Sequence, residues 1–508
     1  PFSLRIWHGE KRHRAAHRSK YRRRENMGVF MLILKIIGLL LLVILALLLI
    51  AVLHTLLMPG KKSTYVAQPD PEREKRYAEK LSKMIRYETV SYPGEHDVPK
   101  FEGFHDVLKE LFPRVFQELE VTDIDGNLLI YWKGKKQEKP LVLMSHQDVV
   151  PAEGTWKHAP FSGDIAEGKV WGRGASDTKC SVMGFFQACE ELLTEGYLPE
   201  NDVYLSSSST EEWAGDGCPK LVAEMKRRGV RPYLVCDEGG GIITNPIGGI
   251  KGNFAMVGVF EKGKADVKFT ARSNGGHASA PTRGTPIARL AGFVTDVETH
   301  TPFRRKMLPQ VQAMFETLAP YANFGMKLVF GNLWLFKPIL VKAMPSISAQ
   351  GGAMLQTTIA FTMQKGSDAC NVIPQEATLA ANMRFIPHQG MEESLSVIRK
   401  KAEKYNLQME VLSATDYSRS TDIHGKAFGL VQNVIAQTFP GCAGSPYVMT
   451  GATDARNYEE ICDNVVRFAP VIYGPEQMKG MHGLNENIET NCLPGCVDFY
   501  KNLIKANA

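Results

Sequence analysis

The sequence predicts an α/β fold with an inserted α+β domain, preceded by one transmembrane helix. Between residues 72 and 251, apolar runs of strand length alternate with helical patterns, as in layered α/β proteins. Near residue 262 this alternation gives way to the pattern of a smaller sheet with two helices. Residues 36–53 contain no charged residue, and a run of that length is typical of a membrane span.

The N-terminal region is predicted to be a basic tail (residues 1–28) and a membrane anchor (29–57). The apolar run at residues 36–57 would form a helix about 33 Å long, enough to cross a bilayer core. Residues 1–26 contain nine Lys or Arg and two acids. Such a flank stays cytoplasmic, which predicts an extracytoplasmic catalytic domain. If translation starts at Met27, the tail is not translated and the orientation is left open.

The globular part is expected to begin after a polar linker at residues 58–71. Its first catalytic segment is predicted at residues 72–261, and a helix at 72–86 opens it. The strands of this segment that precede metal-binding residue types are predicted at 141–144, 203–208 and 233–236.

The inserted domain is predicted at residues 262–412, after which residues 413–508 return to the catalytic domain. Its elements are strands at 265–271, 378–385 and 408–412 and helices at 286–299 and 391–405. Residues 303–356 are unusually rich in large apolar side chains such as Phe330 and Trp334. They are interpreted either as two core helices packed on the insert or as an apolar surface that admits acyl chains or touches a bilayer.

Metal-binding residue types occur at the ends of these strands and in glycine-rich turns. His146 and Asp148 follow the strand at 141–144 and point the same way, so that Asp148 can hold the second ring nitrogen of His146. Asp177 follows a glycine-bearing turn that leads into a helix near residue 180. The remaining candidates are Glu211, Glu212, Asp237 and His482.

Carboxylates in such a cluster repel one another unless a cation lies among them. Asp177, Glu212 and Asp237 with two divalent ions would leave a centre of about +1, which lowers the pKa of a bridging water toward ~7 and attracts an anionic substrate. Glu211, next to Glu212, would then be free to act as general base on that water. The alternative for these two glutamates is an ordinary solvated helix start.

Seven motifs follow one another in order over roughly residues 75 to 506. They are His-x-Asp-Val-Val-Pro, Gly-Arg-Gly-x-x-Asp-x-Lys, Ser-x-x-Glu-Glu, Asp-Glu-Gly-Gly, Gly-Gly-His-Ala-Ser, Asn-Val-Ile-Pro and His-Gly-x-Asn-Glu. Together they resemble the motifs of the dinuclear zinc aminoacylase/carboxypeptidase family. Within that family the chain most resembles carboxypeptidase S and the secreted N-fatty-acyl-amino-acid synthase/hydrolase. The resemblance implies a zinc-peptidase-like catalytic domain with an inserted lid or dimerisation domain.

The resemblance also implies a set of metal ligands. One zinc ion would be bound by His146 and Asp237 and the other by Glu212 and His482, with Asp177 shared between them. Mixed nitrogen and oxygen ligands favour zinc, and cobalt or manganese also fits them.

Catalytic and substrate-binding roles follow from the same resemblance. Asp148 would orient the first histidine ligand, Glu211 would be the base, and His277 would polarise the scissile carbonyl across a dimer. The matching positions for substrate binding are Arg384, Asn371 and Gly451.

The predicted protein is a membrane-anchored zinc hydrolase that cleaves N-acyl amino acids or the C-terminal residue of small peptides. A dipeptidase or deacetylase acting on another small amide is the first alternative, and a non-catalytic membrane-anchored binding protein is the second. Without residues 1–26, basic and acidic residues nearly balance, which gives nucleic-acid binding no electrostatic basis. A homodimer through the insert is the predicted assembly.

Overall fold

The computed structural model describes residues 2–95 and 97–508, without the side chains of residues 2–26, 28 and 29. Its first helix, α1 (Phe2–Leu57), runs through both the predicted tail and the predicted anchor. Segment Phe30–Leu57 is long and apolar enough to cross a membrane, and it fits an anchor or a signal sequence. Nearly all side chains of the predicted basic tail lie outside the described residues.

The segment after α1, predicted as a polar linker, is fixed to the globular body. The backbone N–H of Lys61 donates to the carbonyl of Pro320 at 2.8 Å, and that of Thr64 donates to the carbonyl of Gly441 at 3.2 Å. Tyr65 is buried in the main hydrophobic core. This segment is therefore part of the fold and not a free tether.

The described residues between this segment and the insert form alternating helices and strands. The helices are α2 (Pro71–Arg86), α3 (Val98–Leu111), α4 (Pro113–Glu118), α5 (Lys179–Thr194) and α6 (Gly217–Arg227). The strands are β1 (Glu120–Ile124), β2 (Asn127–Trp132), β3 (Lys136–Met144), β4 (Ile165–Ala166), β5 (Lys169–Trp171), β6 (Asn201–Ser207), β7 (Leu234–Thr244) and β8 (Asn253–Glu261).

The rest of the chain contains the insert and the return to the catalytic domain. The insert region is formed by β9 (Gly263–Arg272), β10 (Gly276–His277), α7 (Pro286–Thr299), α8 (Pro309–Leu318), α9 (Phe324–Phe330), α10 (Leu333–Ile347), α11 (Ala349–Ala353), β11 (Thr358–Lys365), β12 (Val372–Ile373), β13 (Glu376–Phe385), α12 (Met391–Glu403) and β14 (Gln408–Thr415). The return is formed by α13 (Lys426–Thr438), β15 (Ala443–Met449), β16 (Val465–Tyr473), α14 (Pro475–Gly480), β17 (Asn487–Glu489) and α15 (Leu493–Ala506).

The main sheet has the strand order β1-β2-β6-β3-β7-β16-β8-β15. Strand β3 is parallel to β6 and β7, and β7 is parallel to β16. One core cluster includes residues of α2, α5 and α15, and a second includes residues of α6 on β2, β3 and β7. The carboxyl ends of parallel strands share one edge, which is where α/β sheets form their sites.

A second sheet with the order β11-β13-β9-β14 forms the insert. The sequence predicted three of these strands and missed β11. Helices α7 and α12 cover it and enclose a separate core that includes Phe269, Phe293, Met383 and Ile398. Strand β14 ends at Thr415, three residues beyond the predicted boundary at 412. A function of this unit as a lid or a dimer interface stays a prediction.

Helices α8–α10 pack on the main core, so the interpretation of residues 303–356 as core helices on the insert is wrong for most of them. The rings of Phe315 and Phe330 are tilted against each other with centroids 4.5 Å apart, and both residues belong to the main cluster together with Leu340. Helix α8 lies against β15 at the edge of the main sheet. Their apolar side chains cover that edge of the sheet, and the sheet of the insert encloses its own core without them.

Candidate metal centre

His146 and Asp148 follow β3 and are almost completely buried. Nδ1 of His146 lies 2.9 Å from the backbone carbonyl oxygen of Asp148 and 3.4 Å from its carboxylate. Because both oxygens are acceptors, Nδ1 carries a proton and Nε2 is left to face the site. Nε2 lies 3.2 Å from Oδ1 of Asp177. Asp148 thus holds the imidazole ring through its backbone as well as its side chain.

Asp177 lies between two imidazoles. Its Oδ1 faces Nε2 of His146, and its Oδ2 lies 3.1 Å from Nε2 of His482. Burial alone would raise the pKa of Asp177, but the hydrogen bonds from both histidines lower it below its usual value. His482 has a φ of 52°, a left-handed conformation that strains a non-glycine residue and is common at functional sites. The two carboxylate oxygens therefore face different histidines, as expected of a shared ligand.

A short 3-10 turn after β6 carries Glu211 and Glu212. Their backbone N–H groups each donate to one carboxylate oxygen of Asp148 at 3.2 Å. Oε2 of Glu212 lies 3.0 Å from Nε2 of His482. Oε2 of Glu211 lies 3.9 Å from Nε2 of His146. One buried aspartate thereby fixes the turn that presents both glutamates to the site.

The structure places Glu238 in this cluster, where the sequence predicted Asp237. The sequence predicted that the strand ends before these two residues, whereas β7 runs on through both. Neighbouring residues of a strand point to opposite sides, so only one of the two can face the site. The carboxylate of Asp237 accepts hydrogen bonds from the N–H groups of Glu238 and Ala455, both at 2.8 Å. The geometry therefore favours Glu238 over Asp237 as the metal ligand from this strand.

Two groups of ligand atoms meet at the shared aspartate. Within each group, one nitrogen or carboxylate oxygen of every member lies within 4.8 Å of the others. The groups are His146, Asp177 and Glu238, and Asp177, Glu212 and His482. Burial and the charge of the shared aspartate raise the pKa of Glu212 and of Glu238, a sign of repulsion that bound cations would relieve. Imidazole nitrogens and carboxylate oxygens fit divalent ions such as zinc.

This geometry can be compared with known proteins. Residues 142–506 match the model of peptidase family M20/M25/M40. The chain belongs to this family. The Dictyostelium discoideum protein named "Probable carboxypeptidase S-like 2" is 32% identical to it over 444 residues, which are 84% of each chain. The Xenopus tropicalis N-fatty-acyl-amino acid synthase/hydrolase is 31% identical over 459 residues, 88% of each chain.

The fold agrees with the M20/M25/M40 assignment. The solved structure of an M20 family metallo-carboxypeptidase from Sulfolobus solfataricus matches with a TM-score of 0.62 at 17% identity, covering 85% of this chain and 99% of that one. The predicted family, its mixed α/β fold and its class as a metal-dependent hydrolase are thereby confirmed.

The predicted catalytic histidine of the insert lies outside both M20 ligand groups. His277 is exposed in β10, and its Nδ1 lies 2.7 Å from Oγ of Ser279. The backbone N–H of Ala278 donates to the carbonyl of Asn371 at 3.0 Å. His277 and Asn371 are therefore brought together on one exposed ribbon, β10–β12, and their roles in catalysis stay predictions.

The other two predicted substrate residues lie apart from this ribbon. Arg384 is half-buried in β13, and its Nε donates to Oδ1 of Asn382 at 3.1 Å. Gly451 is exposed in the loop after β15, in the catalytic domain. Neither belongs to a ligand group, and substrate binding by either stays a prediction.

Glu486, four residues after the histidine His482, is a supporting residue that the sequence reasoning missed. Its carboxylate accepts N–H groups of Gly174, Ser176 and Asp177 at 2.8 to 3.1 Å. Arg173 donates to the same carboxylate at 2.7 Å. A fully buried acid with these partners fixes the turn that positions the shared aspartate, and its place in the motif with the histidine was the available signal.

We expect Glu486→Gln to weaken zinc binding by about 10–100-fold, the usual effect of losing a hydrogen bond that orients a ligand. The amide accepts at only one atom and leaves Arg173 without its buried counter-charge. Zinc titration of the metal-free protein measures the change, and Glu489→Gln, three residues away, is the matched control. Equal zinc affinity in the two variants would contradict the supporting role.

Proposed function

We propose that the protein hydrolyses the amide bond of N-acyl amino acids that carry long apolar acyl groups. The observation that carries this proposal is an apolar cavity of about 600 Å³ beside the metal-ligand groups. It is lined next to the site by Gly239 and Gly240, which follow Glu238, and by Met481, which precedes His482. From there it extends among helices α8–α11.

The lining of this cavity favours an acyl chain over a peptide. Its deeper part is formed by side chains such as Met314, Phe330, Leu340 and Met344. A peptide backbone placed there would leave its polar groups without hydrogen-bond partners, which is unfavourable. Each methylene of an acyl chain would instead contribute about 0.8 kcal/mol on leaving water.

The residues that would hold two divalent ions are the members of the two ligand groups. Zinc is the proposed metal, and the bound ions would polarise the scissile carbonyl and make a water nucleophilic near neutral pH. Glu211 belongs to neither group, although it lies in the same turn as Glu212. Its carboxylate, whose Oε2 lies 3.9 Å from Nε2 of His146, would take a proton from the attacking water and pass it to the leaving amine.

A carboxylate-binding role of Arg384 is supported by a second cation. Burial lowers the pKa of Arg384, and the positive charge of Arg456 lowers it further, while Asp266 opposes both. Both guanidinium groups would attract a substrate carboxylate placed between them. Nε of Arg456 also lies 3.9 Å from Oε2 of the buried Glu261, which balances part of this positive charge. Arg456 belongs to the chain segment that begins at Gly451, so that loop would contribute to the same pocket.

The protein would act as a membrane-anchored homodimer. Helix α1 would span a membrane through Phe30–Leu57, with the catalytic domain on the extracytoplasmic side. His277 is exposed on the insert, so it would reach the scissile carbonyl of a second copy of the chain in a homodimer.

The test is hydrolysis by the full chain, purified in detergent with added zinc. One amino acid carrying acyl groups from acetyl to oleoyl is compared with dipeptides that have the same C-terminal residue. Activity that rises with chain length is expected. A preference for dipeptides would favour the dipeptidase alternative. If neither substrate set is hydrolysed while two zinc ions are bound, the non-catalytic binding protein would be favoured.

A cavity-filling variant tests whether the acyl chain binds in this cavity. We expect Met314→Trp to lower the ratio of kcat/KM for oleoyl over acetyl substrates about tenfold, because excluding two methylenes costs about 1.6 kcal/mol. Met363→Trp, on the exposed strand β11, is the matched control and is expected to leave the ratio unchanged. An unchanged ratio in both variants would place the acyl chain elsewhere.

A further inference from the structure

Asn332, at the bend between α9 and α10, joins these helices to the end of α1. It is fully buried, and its Nδ2 donates to the carbonyl oxygen of Ala51 at 3.2 Å and to Oγ1 of Thr55 at 2.9 Å. Its Oδ1 lies 2.9 Å from Nδ1 of His54. A buried amide with partners on two helices holds them in one relative position.

This contact sets the depth of the bend relative to a membrane. Residues 36–57 of α1 form an apolar stretch about 33 Å long, close to the ~30 Å of a bilayer core. Ala51 lies six residues before Leu57, which is about 9 Å along the helix axis. With α1 spanning the bilayer, Ala51 lies inside the hydrocarbon region of one leaflet. Asn332 contacts Ala51, so the bend lies at about the same depth.

The outer surface of α9 and α10 carries large apolar side chains, and Lys342 is an exposed charge among them on α10. A lysine can keep its stem along apolar surface while its ammonium group reaches water. Phe324, Trp334, Ile339 and Ile347 are each more than half exposed. The two helices together are apolar enough for a span, yet they are bent by 103°. A bent apolar pair fits helices that enter one leaflet and return. In water such a patch would be unfavourable.

Helix α10 also separates this surface from the apolar cavity. Leu340 and Met344 are buried and line the cavity. Ile347, at the end of the same helix, lines the cavity and is exposed. The cavity therefore reaches the surface on the apolar face formed by α9 and α10.

We infer that α9 and α10 lie in the membrane leaflet beside α1, and that the cavity opens to the hydrocarbon of the bilayer at Ile347. The occupant of this face is phospholipid acyl chain. Resting on the proposed function, the inference adds the route of the substrate: an N-acyl amino acid held in the leaflet passes its acyl chain into the cavity without crossing water.

The first experiment locates Trp334, one of six tryptophans. The full chain with zinc is reconstituted in phosphatidylcholine vesicles with or without brominated acyl chains, and the fluorescence lost in Trp334→Phe is taken as the Trp334 component. We expect bromolipid to quench this component and aqueous iodide to leave it unchanged. Quenching by iodide alone would overturn the membrane placement, whatever the enzyme hydrolyses.

The second experiment tests the route. Ile339→Glu puts a charge on the membrane face outside the cavity, and it is expected to lower kcat/KM for an N-oleoyl amino acid in vesicles at least ~5-fold. Hydrolysis of the water-soluble N-acetyl amino acid is expected to stay unchanged. The matched control is Leu198→Glu, an exposed leucine before β6, which should change neither rate.

The outcomes separate the inference from the proposed function. Quenching by bromolipid with an unchanged oleoyl rate in Ile339→Glu would overturn the route while keeping the membrane placement. A wild-type enzyme that hydrolyses neither acyl substrate would overturn the proposed function and the substrate route. The fluorescence quenching would still decide whether α9 and α10 lie in the membrane. Absence of lipid quenching, with disulfide-linked dimers of Ile339→Cys in a Cys370→Ser background, would make this face an interface between two copies.

Discussion

Replacing Glu211 by glutamine is expected to lower kcat at least ~10³-fold while both zinc ions remain bound. The amide cannot accept the proton of the attacking water, so the step assigned to this residue is lost. Metal retention is expected because Glu211 belongs to neither ligand group. Turnover of an N-acyl amino acid and metal content after gel filtration are the two measurements.

Two neighbouring variants make this result interpretable. Glu212→Gln, in the same turn, is expected to lose one metal ion because Glu212 groups with Asp177 and His482. Glu153→Gln, on an exposed loop, is expected to change neither turnover nor metal content. A loss milder than ~10³-fold in Glu211→Gln, with two ions present, would remove Glu211 as the base.

The second large effect is expected at Glu238. Glu238→Gln should lower zinc affinity by more than the ~10–100-fold that a ligand-supporting residue contributes, and hold one ion instead of two. Its carboxylate groups with His146 and Asp177, whereas the carboxylate of Asp237 accepts two backbone N–H groups. Zinc titration with a chromophoric chelator measures the stoichiometry.

Asp237→Asn is the matched control for that experiment. The carboxylate of Asp237 accepts N–H groups of Glu238 and Ala455, so its loss should disturb the position of the strand without removing a ligand. Two bound ions in Asp237→Asn and one in Glu238→Gln are expected. The reverse pattern would restore the assignment made from the sequence.

The elements of the insert illustrate what the sequence determines well. The helix predicted at 286–299 coincides with α7, and the strand predicted at 378–385 falls within β13. Both have strong local patterns, since α7 begins with a proline and β13 alternates buried and half-buried residues over most of its length. Local periodicity fixes such elements before any tertiary contact is considered.

At the metal-ligand groups, residue type and order alone do not identify every member. Residue types and order located His146, Asp177, Glu212 and His482, and the structure groups all four. The choice between Asp237 and Glu238 depends on which of the two side chains points from β7 toward the other metal ligands. That direction is set by the register of β7 in the sheet. The sequence predicted that the strand ends at residue 236, whereas β7 ends at residue 244. The alternation of side chains along the strand was therefore not applied to Asp237 and Glu238.

Helices α8–α10 show a limit of a different kind. Their composition predicted a large apolar surface, but composition does not say which of two cores the surface joins. Packing on β15 and on the main cluster is a contact between residues far apart in the chain. Only the folded arrangement could show that one side of α10 lines a cavity while the other is exposed.

The attachment of α1 to Asn332 has a consequence for solubility. A truncated enzyme that starts at Lys61 would lose Ala51, His54 and Thr55, the partners that satisfy the buried amide of Asn332. It would also uncover Gly331, at the bend after α9, against which the side chain of Met58 now packs. A protein without this helix would therefore expose a new surface and would aggregate in the absence of detergent. A secreted form would need another molecule to cover that surface.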